Sequence, residues 1–395
     1  MKKIKYSVII SFTLLTHFLV SAQNHQFVDP MIGSQGLGNV FIGPSCPYGM
    51  IKPGPDNSVH ANSGYSAELD KPIYGFSQVH VSGTGGGAKY GNVSVMPFSG
   101  DFESIKQASL RENEKVSLGY YKVDLKKWNI ETEITTSNKS AFYRFQFDSS
   151  TKNAIKIDLG RYLDETDIID GRETQQFVGS QVEVVSNTEV RGYTKIRGGW
   201  NNGSAYTVYF SAVFDQPFTG FSTWKDKMFY PNQETQVDNG TKTGAMLFYE
   251  GLENKTVNMK IGISFISSLK AKQNIDLEIP HWEFEKELAE TQQKWEDLLK
   301  RVEFDKEASV EQKTMFYTGL YHTMLMPVDR TGENPLWENN TPYYDDFYAI
   351  WDTYRSSSPL ITLLNPSREV DIVNAMLQIY KRDGYLPDAR SGNSN

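Results

Sequence analysis

Cysteine is nearly missing: Cys46 is the only one in 395 residues. No internal disulfide can form, so stability has to come from packing rather than cross-links. Cys46 stands in "GPSCPYGM", beside Pro and Gly, and reads as a buried structural thiol rather than a nucleophile. Histidine is scarce too, at six residues. Neither an HExxH sequence nor a paired-Cys metal motif occurs. His80 and His322 have informative surroundings, and a structural role is expected of each. Positive charge is not in excess. The net charge is −8 with no basic stripe, which argues against a nucleic-acid footprint. A nucleotide fingerprint is also lacking. "SGTGGGAKYG" (82–91) is Gly-rich, but it has no Lys-Ser/Thr of a phosphate loop and opens no clear helix. It reads as a loop where backbone approaches backbone or ligand, with several positions at positive φ.

Long hydrophobic runs are missing as well. The mostly apolar stretch 6–20 is broken by His17 and is too short for a spanning helix. Lys2, Lys3 and Lys5 precede it, and Val20-Ser21-Ala22 offers small residues before Gln23. Residues 1–22 are therefore expected to be a secretory signal peptide. No Cys follows the expected cleavage point, which argues against a lipid anchor there. Secretion, or a periplasmic location, is the expectation.

What remains is ordinary in balance, with 39% apolar and 22% charged residues and length enough for two or three domains. Aromatics stand out, with 22 Tyr, 22 Phe and 7 Trp. Rings that pack on C–H faces suit flat, half-polar ligands such as sugars. A β-rich fold explains them equally well.

From residue 27 to about 265 the pattern is short alternating runs between turns. Examples are "YYKVDLKKWNIETEITTS" (120–137), "SAFYRFQFD" (140–148), "NAIKIDLG" (153–160), "YTVYFSAVFD" (206–215) and "TVNMKIGISFIS" (256–267). Such spacing predicts a sandwich of antiparallel strands. After 270 the period becomes helical. Phe284, Leu288, Trp295, Leu298, Leu299 and Val302 fall mainly on one face of 281–302. A capping box, Ser309 with Gln312, opens a helix over 309–327 that stops at Pro327. Asn365, Pro366 and Gly384 frame a helix over 365–384, with Val370, Val373, Met376, Leu377 and Tyr380 as its apolar stripe. The expected domains are thus 23–270 (β), 271–307 (helical linker) and 308–395 (the start of an α domain that three or four helices leave incomplete).

"YAIWDTYRSSSPLITLL" (348–364) carries the most chemistry. Trp351, Asp352, Tyr354 and Arg355 lie within five positions. A carboxylate near a helix start can accept sugar hydroxyls, with the indole as an apolar floor. An Asp352–Arg355 salt bridge is the competing reading. Asp345, Asp346 and Asp388 complete the acidic candidates, yet no acid/base pair for glycoside cleavage stands out among them.

Several stretches together resemble glycoside hydrolase family 92, bacterial calcium-dependent exo-α-mannosidases. They are "VDPMIGSQGLGNVFIGPSCPYGMIKPGPD" (28–56), "IYGFSQVHVSGTGGG" (73–87), "GYYKVDL" (119–125), "RGGW" (197–200), "FYTGLYHTML" (316–325), "FYAIWDTYRSSSPLITLLNP" (347–366) and "DGYLPDARSGN" (383–393). The resemblance implies an N-terminal β-supersandwich, a helical linker and the start of a six-hairpin α/α toroid. It implies removal of terminal α-mannose from N-glycans or mannans with inversion, aided by a calcium ion that binds two sugar hydroxyls. Its catalytic Glu, its base Asp and its main calcium ligands fall beyond the final "GN" of this sequence. No catalytic residue is therefore assigned among these residues, metal ligands are expected outside them, and the 395 residues alone are expected to be inactive. What carries over is substrate contact. Trp351 and Asp352 match the family's WDT motif, and Arg355 matches a companion position. Trp200 and the loop Gly33–Gly38 belong to the β domain that leans over the pocket. "SQGLGNVF" and "GYLPDARSGNSN" depart from the family's pattern, which leaves linkage preference open. Two other readings stay open: a carbohydrate-binding β-sandwich without hydrolysis, and a relative of N-glycan amidases, for which no Cys–His–Asp set is present.

Overall fold

The computed structural model describes residues 23–394 except 59–60, 101, 103, 149–151, 164–172, 201, 253, 306 and 338–340. The expected leader, 1–22, lies outside the described residues. No described helix is long and apolar enough to cross a membrane.

Two antiparallel sheets form the N-terminal part. One has nine strands, running from Thr235–Asp238 at one edge through Gln176–Ser186, Glu189–Arg197, Tyr206–Phe214, Thr256–Ser264, Ser140–Gln146, Ile130–Thr136 and Tyr120–Leu125 to Arg111–Ser117. The other has seven strands and includes Ser94–Ser99, Asn153–Asp158, Thr243–Tyr249 and Gly220–Lys225. All five alternating runs become strands, and their periodicity explains why. In Tyr120–Leu125, Tyr121, Val123 and Leu125 are buried while the residues between them are half-exposed. These side chains and their counterparts Val95, Ile155, Ile157 and Leu247 meet in one core between the sheets.

Six helices follow. α1 (Ser268–Glu278) lies on the strand Thr256–Ser264. A Cβ at Gly262 would sit 2.3 Å from the Ala271 carbonyl oxygen, so glycine permits this close approach. α1 begins two residues before the boundary expected at 270, and its weak amphipathicity explains why the period did not reveal it. α2 (Phe284–Leu299) buries Phe284, Glu287, Thr291, Trp295, Leu298 and Leu299, and the Trp295 indole donates to the Ser45 carbonyl at 2.6 Å. α3 (Val310–Thr323) carries the expected capping box and ends four residues before Pro327. α4 (Ile350–Thr353) and α5 (Ser357–Leu364) are short. α6 (Pro366–Asp383) starts at a proline and stops at Gly384, φ 82°.

The stripe expected on α6 is a correction. Ile372, Ala375 and Ile379 face the protein, and Met376 is partly buried against them. Val370, Val373, Leu377 and Tyr380 are exposed. α6 is apolar on two faces, and periodicity cannot say which one finds a partner. Asn365 makes no cap hydrogen bond to the helix; its side-chain oxygen accepts from the Ser367 hydroxyl instead.

A buried ion network joins the two parts. The Arg330 guanidinium donates to Asp345 Oδ2 at 2.9 Å, Asp346 Oδ2 at 2.7 Å and the Tyr90 hydroxyl at 2.8 Å. Ser391 Oγ donates to Asp346 Oδ1 at 2.8 Å, and the Asn393 amide donates to Asp345 Oδ2 at 2.6 Å. Asp345 and Asp346 are thereby structural ion-pair partners.

Candidate functional site

A cavity of about 680 Å³ opens where α4 faces the β domain. That size suits a ligand of one or a few sugar rings. The β-domain wall is the Gly-rich loop, Ser82–Gly86, with Glu173, Trp200 and Val40. The helical wall is His322, Thr323, Tyr348, Trp351, Asp352, Ser356 and Ser357.

The loop holds its shape by backbone contacts, as its glycines suggest. Gly83 and Gly86 have φ of 63° and 81°, where a side chain is strained. The Gly83 amide donates to the Asn39 carbonyl at 2.8 Å. The Gly87 amide donates to Glu173 Oε2 at 2.7 Å. A Cβ at Gly86 would lie 2.8 Å from Trp200 Cβ and 2.9 Å from Glu173 Oε2. The loop, Trp200 and Glu173 are therefore packed as one unit.

The helical wall is built differently. Trp351 is 59% exposed, and Asp352 is also exposed. α4 is held by its ends: the Ile350 amide donates to the Asp388 carbonyl at 2.8 Å, and Tyr354 N donates to Ile350 O at 3.1 Å. The Asp352 side chain is left free to meet a ligand. Among the described residues no ion pair joins it to Arg355, so the salt-bridge reading is set aside. Arg355 does not line the cavity; its guanidinium donates to the neighbouring Tyr354 hydroxyl and lies 5.0 Å from that ring's centre. Asp388 is exposed and contributes its backbone, while Ala389 lines the cavity. The loop Gly33–Gly38 also falls elsewhere. Ser34, Gln35 and Gly36 border a separate depression with Tyr65 and Glu68, and only Val40, just beyond that loop, reaches the cavity.

Two cavity residues carry buried polar atoms without partners: Trp200 Nε1 and His322 Nε2. An indole N–H in this state is a donor in want of an acceptor. Burial holds the His322 imidazole below its ordinary value, with Asp29 opposing, which favours the neutral ring. His322 was expected to be structural, and Glu173 carried no sequence signal at all. "FYTGLYHTML" could have pointed to His322, because that helix packs by Tyr317, Leu320 and Tyr321 and turns His322 off that face. His80, by contrast, is structural as expected. It is wholly buried, with Nδ1 2.7 Å from the Lys52 carbonyl and Nε2 3.0 Å from Asp56 Oδ1. Cys46 is buried, and desolvation pushes its thiol up to about 11, as an inert structural thiol requires.

Calcium takes six to eight oxygen ligands. Two carboxylates, Glu173 and Asp352, are on the cavity walls, and among the described residues no trio of ligating side chains gathers there. This donor set does not by itself make a calcium site, so no chemical step is derived through that ion.

Residues 27–264 match the glycosyl hydrolase family 92 N-terminal domain, and residues 270–395 match the glycosyl hydrolase family 92 catalytic domain. The chain belongs to glycosyl hydrolase family 92. A family 92 α-mannosidase of Bacteroides thetaiotaomicron superposes with a TM-score of 0.83 at 25% identity, covering 95% of this chain and 52% of its own. The same enzyme in complex with mannoimidazole gives 0.82 at 26% identity, covering 94% and 50%. An uncharacterized secreted glycosidase of Arthroderma benhamiae is 28% identical over 360 residues, covering 84% of this chain and 45% of its own length. This family 92 chain therefore spans about half the length of the relatives it matches. The β-rich sandwich followed by helices is the arrangement of the solved mannosidases.

Proposed function

We propose that this family 92 chain forms the sugar-holding part of a secreted exo-α-mannosidase, and that the cavity between α4 and the Gly-rich loop receives a terminal mannose. The observation that carries the reading is the meeting of Trp351 and Asp352 with Trp200 across one cavity, from segments some 150 residues apart. In this reading the exposed Trp351 ring covers the apolar C–H face of the sugar. The Asp352 carboxylate accepts bonds from hydroxyls. The unpartnered Trp200 N–H and the neutral His322 ring supply a donor and a further hydrogen-bonding nitrogen. Arg355 is not brought to the cavity, and its proposed role is to hold Tyr354 beside α4. The helices from α3 onward would belong to the α/α toroid that the resemblance implies. Inverting cleavage needs an acid and a base on opposite faces of the bond, roughly 6.5–9.5 Å apart. Neither role is given to a residue of this chain. Calcium enters only as the cofactor that the resemblance implies, with ligands beyond the two carboxylates named above.

Asp352→Asn in the full-length protein tests the reading with α-mannobiose as substrate. Charge-assisted hydrogen bonds contribute about 1.5–3 kcal/mol each, so kcat/KM should fall by roughly tenfold to a few hundredfold. The melting temperature should not move, because Asp352 is exposed and unpaired. A variant that melts early yet keeps full activity would retire the assignment.

A further inference from the structure

The buried side of α2 repeats at spacings of three and four: Phe284, Glu287, Thr291, Trp295, Leu298. Glu287 does not fit. It is 0% exposed, and neither of its carboxylate oxygens accepts a hydrogen bond. Other fully buried carboxylates accept at one oxygen at least, as Asp56 does from Ser77 and Asp345 from Arg330. Glu333 accepts from Ser264 Oγ at 2.5 Å, the Phe265 amide at 3.1 Å and Asn274 Nδ2 at 2.9 Å. An unserved buried carboxylate is costly unless something compensates it.

Glu287 points toward His281, whose Nε2 is also buried without a hydrogen-bond partner. The two atoms stand 3.8 Å apart, too far for a hydrogen bond. Glu290 lies almost one turn further along α2. One ligand atom from each of the three residues falls within 4.8 Å of the others. The loop bearing His281 is anchored. Lys260 Nζ donates to the carbonyls of Ile279 at 2.9 Å and His281 at 3.3 Å, and rests 4.1 Å from the centre of the Trp282 ring.

We propose that His281, Glu287 and Glu290 bind a divalent transition-metal ion of the zinc type at the junction of α2 with the β domain. None of the three lines the sugar cavity. One imidazole nitrogen with two carboxylates suits zinc-like ions, whereas calcium takes oxygen alone. Tetrahedral zinc–nitrogen and zinc–oxygen bonds of about 2.0–2.2 Å place neighbouring ligand atoms roughly 3.3–3.6 Å apart. The 3.8 Å gap between His281 Nε2 and Glu287 Oε2 is close to that spacing, so a small closure seats an ion between them. Glu290 is exposed and swings inward from within 4.8 Å to complete the set, with water on the solvent side. Ligation at Nε2 puts the ring proton on Nδ1, which gives up a long 3.3 Å contact from the Glu283 amide. The rival occupant is a proton. Burial raises the Glu287 carboxyl to about 7, with Lys294 opposing and Glu290 and Glu278 adding to the rise.

Zinc chloride titrated calorimetrically into untagged, chelator-treated protein at pH 7.5 decides between them. The expected result is one ion per chain with micromolar or tighter affinity, and a melting temperature that rises with zinc. Glu290→Ala, an exposed substitution that leaves packing intact, should weaken binding at least tenfold, and His281→Ala should do the same. Calcium chloride should give no melting shift that Glu290→Ala removes. No zinc uptake, or uptake that both variants leave unchanged, overturns the proposal. Neither readout involves sugar, so the outcome is independent of the mannose assignment.

Discussion

The two walls of the cavity are built on opposite principles. The β-domain wall is rigid by backbone: glycines at positive φ, amide-to-carboxylate and amide-to-carbonyl bonds, and Trp200 packed against Gly86. The helical wall centres on a four-residue helix that presents Trp351 and Asp352 to solvent, and among the described residues neither side chain is committed to an ion pair or hydrogen bond. The contrast separates shape from chemistry. Changes to the first wall should appear as stability, and changes to the second as ligand recognition. Asp352→Asn, above, samples the second wall. The buried ion network, the first wall and His322, which shares both characters, are the places to break that contrast.

The largest effect is expected where the walls are joined. Arg330 lies 3.8 Å from the Phe265 ring centre and pairs with the buried Asp345 and Asp346. Arg330→Met keeps most of the volume and leaves the buried Asp346 without its cation, while Asp345 keeps Arg390 at 3.3 Å. Breaking a buried pair from one side costs about 3–5 kcal/mol. Urea unfolding should show that loss. A variant within 1 kcal/mol of wild type, about the worth of a surface pair, would mean the network is not what holds the walls together.

Gly86→Ala comes next. Its φ of 81° and the 2.8 Å approach to Trp200 Cβ both penalise a methyl group. A residue forced into that region costs about 1–3 kcal/mol. The melting temperature should drop, and sugar affinity should fall with it because Trp200 and Glu173 must shift. Stability lost with affinity retained would show that the first wall sets stability alone and that Trp200 and Glu173 do not transmit its shape to the ligand.

The sandwich was legible because its strands keep a period of two and bury one face each; the runs at 120–137 and 256–267 required nothing else. The helical part was legible only in its frames. Ser309 with Gln312, and Pro366 with Gly384, located α3 and α6, since caps are local chemistry. Which face of α6 is buried depends on neighbours, and Val370 and Ile372 look alike in sequence. The site was half visible. Trp351, Asp352 and Trp200 came from motif resemblance, and the fold brings them to one cavity. Arg355 was misjudged because position within a motif says nothing of where a long side chain turns. Glu173 could not have been found, since its place beside Gly87 depends on a loop contact 86 residues away in sequence. Glu287 was hidden by the same arithmetic that found α2, because an apolar stripe counts its members and passes over the charged one.

The smallest expected effect concerns His322, which packs like a structural residue and faces the cavity like a ligand contact. Burial depresses its ring below the ordinary value. Between that depressed value and about 6.5, the unfolded chain carries the proton and the folded chain does not. Stability therefore rises with pH across this window, and it is lost as pH falls from about 6.5, until the folded ring itself protonates. His322→Gln removes the titrating group. Unfolding free energies at pH 5, 6, 7 and 8 should fall less steeply toward acid in the variant than in the wild type, with the two profiles parallel above pH 7. Sugar binding supplies the other half of the test. A glutamine amide can replace one hydrogen bond but not the neutral ring's orientation, so affinity should weaken several-fold at pH 7.5, where the stability profiles run parallel. Identical slopes below pH 6.5 would show that the ring is not held neutral. Unchanged affinity at pH 7.5 would return His322 to the structural role its sequence context first suggested.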